Sequence, residues 1–461
     1  MDATYDVVVI GGGPGGYTAA IRASQLGMRA AIVEMAEMGG VCLNWGCIPS
    51  KALLRNAEVV NLVRNAGQYG ITVENPKFDM AAAIDRSRKV VETRVKGVGF
   101  LMKKNKIDVI KGTARLAAAG KVVVDATGQT LTAKNVIIAT GAQARDLPGL
   151  TRDGKTIITA REALELRQMP KSIAIVGGGA IGCEMAYFYR SYGAEVTVIE
   201  MLPHLVPNED EDVSRELERA LAKQGIGIKA GCTVQKAERA NGMMKLTLGP
   251  AQEAGTIECE KVLLGVGVKA NSDGIGLEAL GVQTTKGYIN LDHRMATNVP
   301  GVYAIGDVTG KLLLAHVASA QGVQAAEAIV GKQVRPFKYE DMPRATYCQP
   351  QVASMGLTEK AAKEKGYAVK VGKFPFMANG KASAINAAEG FVKIVVEAKS
   401  GEILGAHMIG HDVTEMLAEV SMTKMLEGTA EEIGRTVHAH PTLSEALKEA
   451  SLGVYGEAID I

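Results

Sequence analysis

Residues 5–34, YDVVVIGGGPGGYTAAIRASQLGMRAAIVE, contain the pattern that decides the fold. The apolar run YDVVVI predicts a buried strand, GGGPGG predicts a tight turn, and the residues after it have helical periodicity. A second apolar run ends at Glu34, 23 positions after Gly11. This order of strand, G-x-G-x-x-G turn, helix and acid-terminated strand predicts a dinucleotide-binding βαβ unit.

The same pattern occurs a second time in the chain. GGGAIG follows the strand-like run IAIV, and AEVTVIE ends at Glu200, again 23 positions after the first glycine. The three motif glycines permit a tight turn, let the backbone approach a pyrophosphate, and let helix pack on strand, in that order. They are Gly11, Gly13 and Gly16 in the first copy, and Gly177, Gly179 and Gly182 in the second.

The acids Glu34 and Glu200 are expected to accept hydrogen bonds from ribose hydroxyls. A 2′-phosphate beside Glu200 would be repelled, so the second site favours NAD over NADP. Two dinucleotide sites in one chain suggest that electrons pass between two cofactors. The alternative is that one copy is a relic that binds nothing.

The composition describes an ordinary globular protein of several domains. Among 461 residues, 47% are apolar, 22% are charged and the net charge is +2, which excludes a strongly basic surface for nucleic acid. We expect no membrane insertion, because no apolar run approaches the ~18 residues that span a bilayer. The first residues have no secretory signal pattern, so we expect a cytoplasmic protein.

The six cysteines include one close pair, Cys42 and Cys47, in GGVCLNWGCIPSK at residues 39–51. Disulfide geometry requires Cα atoms about 4.4–6.8 Å apart. An extended strand would separate this pair by roughly 16 Å and a regular helix by about 7.5 Å. The segment must therefore be compressed or irregular near Asn44 and Gly46. A redox pair, a zinc clip and two structural thiols are the three interpretations.

Other segments extend the pattern. VIIATG (136–141) and KVLLGVG (261–267) predict strands that end in glycine turns. GVYAIGD (301–307) predicts another strand, followed by an acid that could hold a polyol or simply form a turn. The alternating runs FVKIVVEA and EILGAHMIG predict antiparallel strands in a third domain at 341–461.

GGVCLNWGCIPSK closely resembles the active-site motif of the pyridine nucleotide–disulfide oxidoreductases, a family of flavoproteins. Both glycine motifs, TNVPGVYAIGD, LAHVASAQG (314–322) and HAHPTLSE (438–445) extend this resemblance along the whole chain. It implies an α/β fold with two Rossmann-like domains, for FAD and NAD, and a C-terminal α+β dimerisation domain. The expected boundaries are 1–147 with 272–340 for FAD, 148–271 for NAD, and 341–461 for dimerisation.

The resemblance also implies roles for individual residues. Cys47 is expected to be the thiol nearest the flavin, and Cys42 the one that exchanges with substrate. His440 is expected to be the base, oriented by Glu445 and acting on the cysteines of the partner subunit in a homodimer. The remaining cofactor-binding positions that it implies are Lys51, Thr140, Gly141, Gly306, Asp307 and Ala315 for FAD, and Glu184 and Gly267 for NAD.

The HAHPTLSE segment allows a second interpretation. Thr442 and Glu445 have the spacing of a helix capping box, with Pro441 fixing the approach of the chain. Capping and catalysis can coexist at these residues. We interpret His438 as structural.

Within the family, the sequence favours oxidation of protein-bound dihydrolipoamide to lipoamide with NAD⁺. No cysteine follows Cys348, so a C-terminal redox pair is not expected, and no Arg accompanies Glu200 to bind a 2′-phosphate. The alternative is an NAD(P)H-dependent reductase of a glutathione-like disulfide. A redox-silent FAD/NAD-binding sensor would need neither the cysteine pair nor the His440–Glu445 pair.

The expected partner is a lipoylated carrier of a 2-oxoacid dehydrogenase, acetoin or glycine cleavage complex. We expect the protein to visit this carrier, because no lipoyl domain precedes Met1. Several residues depart from the family pattern, namely Val268, Ala270, Ser319 and Cys348. Cys348 is expected to be a packed surface or interface thiol.

Overall fold

The computed structural model describes residues 3–125, 127–240, 242–249 and 255–461. Within these residues the chain divides into two compact units. The first takes in Met1–Ala52, Ala82–Arg145 and Gly267–Tyr339, and the second takes in Leu53–Ala81, Asp146–Val266 and Glu340–Ile461. The division into three domains with the boundaries given above stays a prediction.

The first unit is built on a sheet whose central strand is the opening apolar run. In spatial order its strands are Asp108–Lys111, Ala30–Glu34, Ala3–Ile10, Gln129–Ile138, Lys121–Val124 and Ala114–Ala118, with Val302–Ala304 also pairing to Gln129–Ile138. The central strand is parallel to both neighbours. Val7, Val8 and Val9 are fully buried, as expected for a strand covered on both faces. Smaller pairings join Ala142–Ala144 to Val268–Ala270 and Thr284–Thr285 to Tyr288–Ile289.

Helices cover this sheet, and one pair of them packs unusually closely. The helices that begin in or near this unit are Pro14–Gln25, Gly40–Trp45, Cys47–Arg64, Met80–Lys104 and Ala315–Ile329, with 3₁₀ turns at Glu278–Leu280 and Gly306–Thr309. A Cβ atom on Gly15 would lie 2.9 Å from the carbonyl oxygen of Ala318, and one on Gly322 would lie 2.5 Å from that of Gly15. These glycines therefore let the helix after the first turn lie directly against Ala315–Ile329.

The second unit repeats the parallel arrangement. Its parallel sheet runs Gly227–Lys229, Glu195–Ile199, Ser172–Val176, Lys261–Leu264 and Ile157–Thr159. An antiparallel sheet of Thr233–Ala240, Met243–Gly249 and Thr256–Cys259 packs nearby in the same unit. The predicted strand–turn–helix order of the second motif is confirmed, with the helix at Ala180–Tyr192.

The C-terminal part of the second unit contains a sheet of a different kind. Its strands are Arg344–Thr346, Gln351–Gly356, Ile403–Gly410, Phe391–Glu397 and Val369–Pro375, all antiparallel. The antiparallel strands predicted from FVKIVVEA and EILGAHMIG are therefore confirmed. Buried side chains of Val413–Met425 and Glu445–Gly453 complete the core on this sheet.

The remaining helices of the second unit are mostly short. They are Ala160–Ala163, Glu211–Lys223, Glu359–Glu364, Gly380–Ala384, Val413–Met425, Ala430–Arg435 and Glu445–Gly453, with 3₁₀ turns at Ala66–Tyr69, Tyr339–Asp341 and Phe376–Ala378. Among the helices of the described residues, none combines the length and the apolar character needed to cross a bilayer.

Candidate redox and dinucleotide sites

The first glycine turn fits a pyrophosphate-binding loop. Gly11 has φ 108°, and a Cβ atom there would overlap the carbonyl oxygen of Ala139. A Cβ atom on Gly16 would overlap the carbonyl oxygen of Gly11. By contrast, no described atom lies within 4 Å of the place where Gly13 would carry a Cβ. The turn is thus closed at Gly11 and Gly16 and open beside Gly13, where a ligand could approach the backbone.

The second turn has the same geometry. Gly177 has φ 111°, and its Cβ would overlap the carbonyl oxygen of Gly265. Gly182 lies against Gly177 in the same way, while the space beside Gly179 is open. Because the geometry is preserved in both copies, the interpretation of one copy as a relic gains no support.

The acid that ends the first motif is held by backbone donors. The two carboxylate oxygens of Glu34 accept hydrogen bonds from the Gly12 N–H at 2.6 Å and the Ala36 N–H at 2.7 Å. Each carboxylate oxygen keeps a second lone-pair direction for a ribose hydroxyl. Gly12 is not among the residues predicted from the sequence, although it is the middle glycine of GGG.

Glu200 is held in the same way in the second motif. It accepts from the Gly178 N–H at 2.6 Å and the Leu202 N–H at 2.8 Å, and it is buried. Gly178, like Gly12, is not among the residues predicted from the sequence. A negative charge fixed at this point favours an unphosphorylated ribose.

Asp307 lies in the turn Gly306–Thr309, and burial raises the pKa of its carboxyl. The preceding Gly306 N–H donates to the side-chain oxygen of Gln321 at 2.7 Å. Gln321 in turn donates to the Tyr339 hydroxyl at 2.9 Å. Gln321, from LAHVASAQG, is therefore a supporting residue that the sequence analysis left unassigned. A buried carboxyl in a hydrogen-bonded turn is suited to bind a polyol, because the polyol hydroxyl groups would donate hydrogen bonds to the carboxyl oxygens.

Thr140 and Gly141 form a second braced turn in the first unit. The Thr140 hydroxyl donates to the Asn271 carbonyl at 2.7 Å, and the Asn271 amide donates to the Thr140 carbonyl at 3.0 Å. Gly141 has φ 70°, a conformation that glycine adopts without strain. The departures at Val268 and Ala270 lie just before Asn271, in the strand Val268–Ala270, so they leave this pairing intact.

The other predicted cofactor residues fall at element boundaries. Ala315 begins the helix Ala315–Ile329. Gly267 has φ 94°, and its carbonyl accepts from the Arg145 N–H at 3.1 Å. Glu184 is buried in the helix Ala180–Tyr192 and accepts from the Tyr347 N–H at 3.0 Å. Their contacts with cofactors stay predictions.

The two cysteines lie on either side of a break between helices. Gly40–Trp45 ends at Gly46, and the next helix begins at Cys47. A Cβ atom on Gly46 would lie 3.0 Å from the Val41 carbonyl oxygen, tighter than most such contacts. Glycine therefore lets the chain fold back by one turn and bring Cys47 beside Cys42. The compressed turn predicted near Gly46 is confirmed.

Side chains brace this break. The buried Asn44 amide donates to the carbonyl oxygens of Met38 at 3.1 Å and Gly40 at 2.9 Å. The Ser50 hydroxyl donates to the Gly46 carbonyl oxygen at 2.7 Å. The positions of the two sulfurs are thus set by a hydrogen-bonded turn.

The two thiols are hydrogen-bonded to each other. The hydrogen bond with the Cys47 side chain is the largest cause that raises the pKa of Cys42 above its ordinary value. Burial and the charge of Cys47 raise this pKa further. Lys51, one turn after Cys47, acts in the opposite direction. Both cysteines are free thiols in this structure. Two thiols that are hydrogen-bonded to each other are placed for a reversible disulfide.

The zinc interpretation gains no support. In the part of the chain that the structure describes, no group of three or more His, Cys, Asp or Glu side chains could hold a metal ion. Structural zinc is almost always bound by four such ligands.

His440 and Glu445 form a hydrogen-bonded pair. The His440 Nδ1 and Glu445 Oε1 atoms are 2.9 Å apart, and the Thr442 N–H donates to Glu445 Oε2 at 2.8 Å. Burial alone would raise the pKa of Glu445, but the Thr442 N–H and then the His440 ring hold it below its ordinary value. An ionised carboxylate on Nδ1 leaves Nε2 free to accept a proton, and it stabilises the imidazolium that results.

The capping-box prediction at this place is partly wrong. The helix begins at Glu445 with Ser444 as its N-cap, so Thr442 lies two residues too early. Its hydroxyl donates to the Ala439 carbonyl at 2.8 Å and does not cap the helix. Only half of the expected reciprocal pair, the bond from the Thr442 N–H to Glu445, is present.

Cys348 also differs from its prediction. It is fully buried within the chain, with Sγ 3.5 Å from the Pro350 carbonyl oxygen, and is not a surface thiol. Ser319 lies on the helix Ala315–Ile329, and its hydroxyl contacts the Pro14 carbonyl at 3.4 Å. No role beyond packing follows from either position.

The predicted residues fall into the two units. The cysteine pair, Lys51, the first glycine turn, Thr140 and Asp307 belong to the first unit, and the second glycine turn, Glu184, Glu200, His440 and Glu445 belong to the second. Within the units, the two glycine turns and the acids beside them fit FAD and NAD. The glycine turns would hold the pyrophosphates. Glu34, Asp307 and Glu200 would hold the sugars.

Comparison with known proteins agrees with this geometry. Residues 5–322 match the family described as pyridine nucleotide-disulphide oxidoreductase, and residues 342–451 match the dimerisation domain of that family, which supports a homodimer. The chain is 48% identical to a dihydrolipoyl dehydrogenase of Chlorobaculum tepidum over 455 residues, which cover 98% of this chain and 97% of that protein. A dihydrolipoyl dehydrogenase of Mycobacterium tuberculosis is 49% identical over 462 residues, 99% of each chain.

Solved structures are similar over the same length. The crystal structure of LpdA from Mycobacterium tuberculosis has a TM-score of 0.90 at 26% identity and covers 97% of this chain and 99% of that chain. The HOCl-induced flavoprotein disulfide reductase RclA from Escherichia coli has a TM-score of 0.85 at 26% identity, covering 96% and 98%. The chain therefore belongs to the pyridine nucleotide-disulphide oxidoreductases, as a flavoprotein oxidoreductase that uses FAD and NAD.

Proposed function

We propose that this protein is a dihydrolipoyl dehydrogenase, which oxidises dihydrolipoamide to lipoamide at the Cys42–Cys47 pair. The observation that carries the proposal is the hydrogen-bonded cysteine pair across the Gly46 break. Nearly half of the residues are identical to those of dihydrolipoyl dehydrogenases over the whole length, which supports this substrate over other disulfides.

The reaction begins with proton transfer to a histidine. The Nε2 atom of His440 accepts a proton from one thiol of dihydrolipoamide, because Glu445 engages Nδ1 at 2.9 Å and stabilises the resulting cation. The substrate thiolate is the species that attacks, since thiols are poor nucleophiles toward disulfides. General base catalysis of this kind contributes roughly 10²- to 10⁴-fold.

Disulfide exchange follows at the cysteines. The substrate thiolate attacks Sγ of Cys42 in the Cys42–Cys47 disulfide, which breaks that bond and leaves Cys47 as the thiolate. The second substrate thiol then displaces Cys42 and closes the lipoamide disulfide, and its proton passes to the departing Cys42 sulfur. The substrate loses two electrons and two protons, and the cysteine pair gains the two electrons. FAD and NAD⁺, when bound, supply the acceptor chemistry that takes this electron pair from Cys47.

The remaining roles belong to the same proposal. His440 of each subunit would serve the cysteine pair of the other subunit in a homodimer. Lys51, Thr140, Gly141, Gly306, Asp307 and Ala315 would hold FAD, and Glu184, Glu200 and Gly267 would hold NAD. The substrate dithiol would arrive on a lipoylated carrier protein, and the enzyme would work in the cytoplasm, where thiols stay reduced.

Anaerobic reduction of the purified yellow protein tests the proposal. We expect dihydrolipoamide to produce a long-wavelength thiolate–flavin absorption band and, when NAD⁺ is added, stoichiometric NADH. A Cys42→Ser variant is the control, because it retains Cys47 but cannot exchange disulfides. Turnover only with NADPH and glutathione disulfide would contradict the proposal and support the glutathione reductase-like alternative.

A further inference from the structure

The loop that carries His440 turns two histidines in opposite directions. It joins the helix Ala430–Arg435 to the helix Glu445–Gly453. The side chain of His440 is 78% exposed, whereas that of His438 is only 6% exposed. Between the end of the first helix and His438, Val437 is almost fully exposed. A shielded histidine between exposed neighbours on both sides requires a reason.

Both ring nitrogens of His438 face oxygen atoms that can only accept hydrogen bonds. Nδ1 lies 2.9 Å from the carbonyl oxygen of Thr436, and Nε2 lies 2.8 Å from a carboxylate oxygen of Glu419. A neutral imidazole has one donor and can satisfy only one of them, while an imidazolium satisfies both. In either form the ring can donate a hydrogen bond from Nε2 to Glu419, so His438 is anchored to that carboxylate.

The other acid in this neighbourhood is already engaged. A cavity of about 380 Å³ is lined by His438, Glu419 and Glu432, among other residues. Glu432 accepts from the N–H and the hydroxyl of Thr429, both at 2.7 Å, in the capping box of its own helix. Glu419, on the helix Val413–Met425, is thus the acid that forms a hydrogen bond with His438.

The contacts of the loop divide it into two halves. The second half is fixed by the Asn379 amide, which donates to the Thr442 carbonyl at 3.0 Å, and by Glu445. In the first half, His438 bonds to Glu419 on the helix Val413–Met425, and this is the side-chain hydrogen bond to another element within the described residues. His440 lies between the two attachments, so its orientation depends on both.

We propose that His438 is a positioning residue for the base: held between Glu419 and the Thr436 carbonyl, it ties the first half of the loop to the helix Val413–Met425 and fixes the direction of His440. The proposal deepens the proposed function, since it takes His440 as the base. The earlier interpretation of His438 as merely structural is thereby extended.

Hydrogen exchange on the full-length flavin-loaded protein tests the tether without any substrate. We expect the hydrogen-bonded backbone amides of Thr436 and Thr442 to exchange at least about tenfold faster in His438→Leu and in Glu419→Ala, because the local opening becomes less costly. The double variant should be no faster than either single variant. Glu415→Gln, which removes an exposed acid from the same helix, is the matched control and should leave exchange unchanged. Unchanged exchange in His438→Leu would overturn the proposal.

Rapid-mixing kinetics tests the effect on the base. We expect His438→Leu to slow reduction of the oxidised cysteine pair by dihydrolipoamide by about 10- to 100-fold, because a misplaced base loses its alignment with the thiol. Reduction of the same variant by NADH, which needs no base at the dithiol, should be unchanged. His438→Gln retains a donor toward Glu419 and should recover most of the rate. Equal losses in both half-reactions, or no rescue by His438→Gln, would overturn the positioning role.

The two tests separate the two proposals. If the wild-type protein is not reduced by dihydrolipoamide, the proposed function fails, and hydrogen exchange still decides whether His438 holds the loop. If the wild-type protein is reduced but His438→Leu reacts at the wild-type rate, the proposed function stands and the positioning role is wrong.

Discussion

The carboxylate of Glu445 holds two groups at once, the ring of His440 and the N–H of Thr442. One side chain thus sets both the tautomer of the histidine and the path of the loop. Its pKa lies below the ordinary value because of these contacts, so the carboxylate stays charged near neutral pH. The charge that supports the base is therefore constant over the physiological range.

Replacing Glu445 with Gln should lower kcat with dihydrolipoamide by about 10- to 100-fold, less than the loss of the base itself. The amide retains the size of the side chain but cannot stabilise an imidazolium. Steady-state NADH formation measures the effect. Glu431→Gln, at an exposed acid paired with Arg435 at 2.6 Å, is the control and should keep full activity. A Glu445→Gln enzyme with unchanged kcat would refute this role.

Individual residues differ in how well the sequence predicted them. Spacing alone identified Glu34 and Glu200, because an acid 23 positions after the first glycine is a long-range pattern that the βαβ unit imposes. Spacing could not identify Gln321 or the Glu419–His438 contact. These residues meet only after separate elements pack together, and no local pattern records that packing.

At the scale of elements, the two glycine turns place strict limits on side chains. The first and third glycines of each motif leave no room for a Cβ atom against backbone carbonyls. This is why strand, turn and helix could be predicted from GGGPGG and GGGAIG. The Gly46 break was predictable from disulfide geometry, but the start of the last helix was not. There, the Thr442 hydroxyl donates to the Ala439 carbonyl and does not cap the helix, a long-range detail of the loop that the spacing of Thr442 and Glu445 does not record.

A Gly16→Ala variant should lose its flavin. The added Cβ overlaps the Gly11 carbonyl oxygen, and relieving the overlap would displace the turn at a cost of about 1–3 kcal/mol. We expect the flavin content of the purified protein, measured by absorbance after denaturation, to fall at least about tenfold. Gly97→Ala, in the helix Met80–Lys104 where the Cβ position is open, should keep its flavin. Full flavin content in Gly16→Ala would contradict the assignment of this turn.

A buried lysine joins three elements of the second unit. Lys393, on the strand Phe391–Glu397, lies 2.9 Å from Asp210, 3.1 Å from Asp212 and 2.8 Å from Glu359. Burial alone would lower the pKa of Lys393, but these three carboxylates raise it above its ordinary value. Removing only the cation would leave the buried Asp210 carboxylate without its ion pair.

Lys393→Met should lower the free energy of unfolding at pH 7 by about 3–5 kcal/mol, as expected when one partner of a buried ion pair is removed. Chemical denaturation measures this. Lys360→Met, at an exposed lysine 3.5 Å from Glu211, is the control and should change stability by less than about 0.5 kcal/mol. A Lys393→Met protein as stable as the wild type would contradict the role of this cluster.

The same cluster predicts a pH dependence. The pKa of Glu359 is lowered by Lys363 and then by Lys393. Burial alone would raise the pKa of Asp212, but Lys393 outweighs burial, and the pKa of Asp212 is lowered. A lowered carboxyl pKa stabilises the fold above the unfolded-state pKa near 4, and this stabilisation is lost as pH falls through the lower folded-state value. The destabilisation caused by Lys393→Met should therefore shrink as pH falls from about 5 to 3.

At the scale of the whole molecule, the proposed active site requires two copies of the chain. The match to a dimerisation domain at 342–451 supports a homodimer, and the exposed His440 side chain is consistent with a site completed by the partner. Resemblance of HAHPTLSE to the family motif predicted the His440–Glu445 pair. Sequence alone could not show which subunit's cysteines it serves, because that depends on the assembly.

Subunit complementation tests the central claim most directly. Cys42→Ser and His440→Gln homodimers, each expected to be inactive with dihydrolipoamide, are dissociated, mixed in equal amounts and reassociated. If each site takes cysteines from one subunit and the base from the other, every mixed dimer has one intact site, and statistical mixing should restore about a quarter of wild-type turnover. If both groups come from one chain, every site in the mixture carries a defect, and activity that stays at the level of the parent variants would contradict the account.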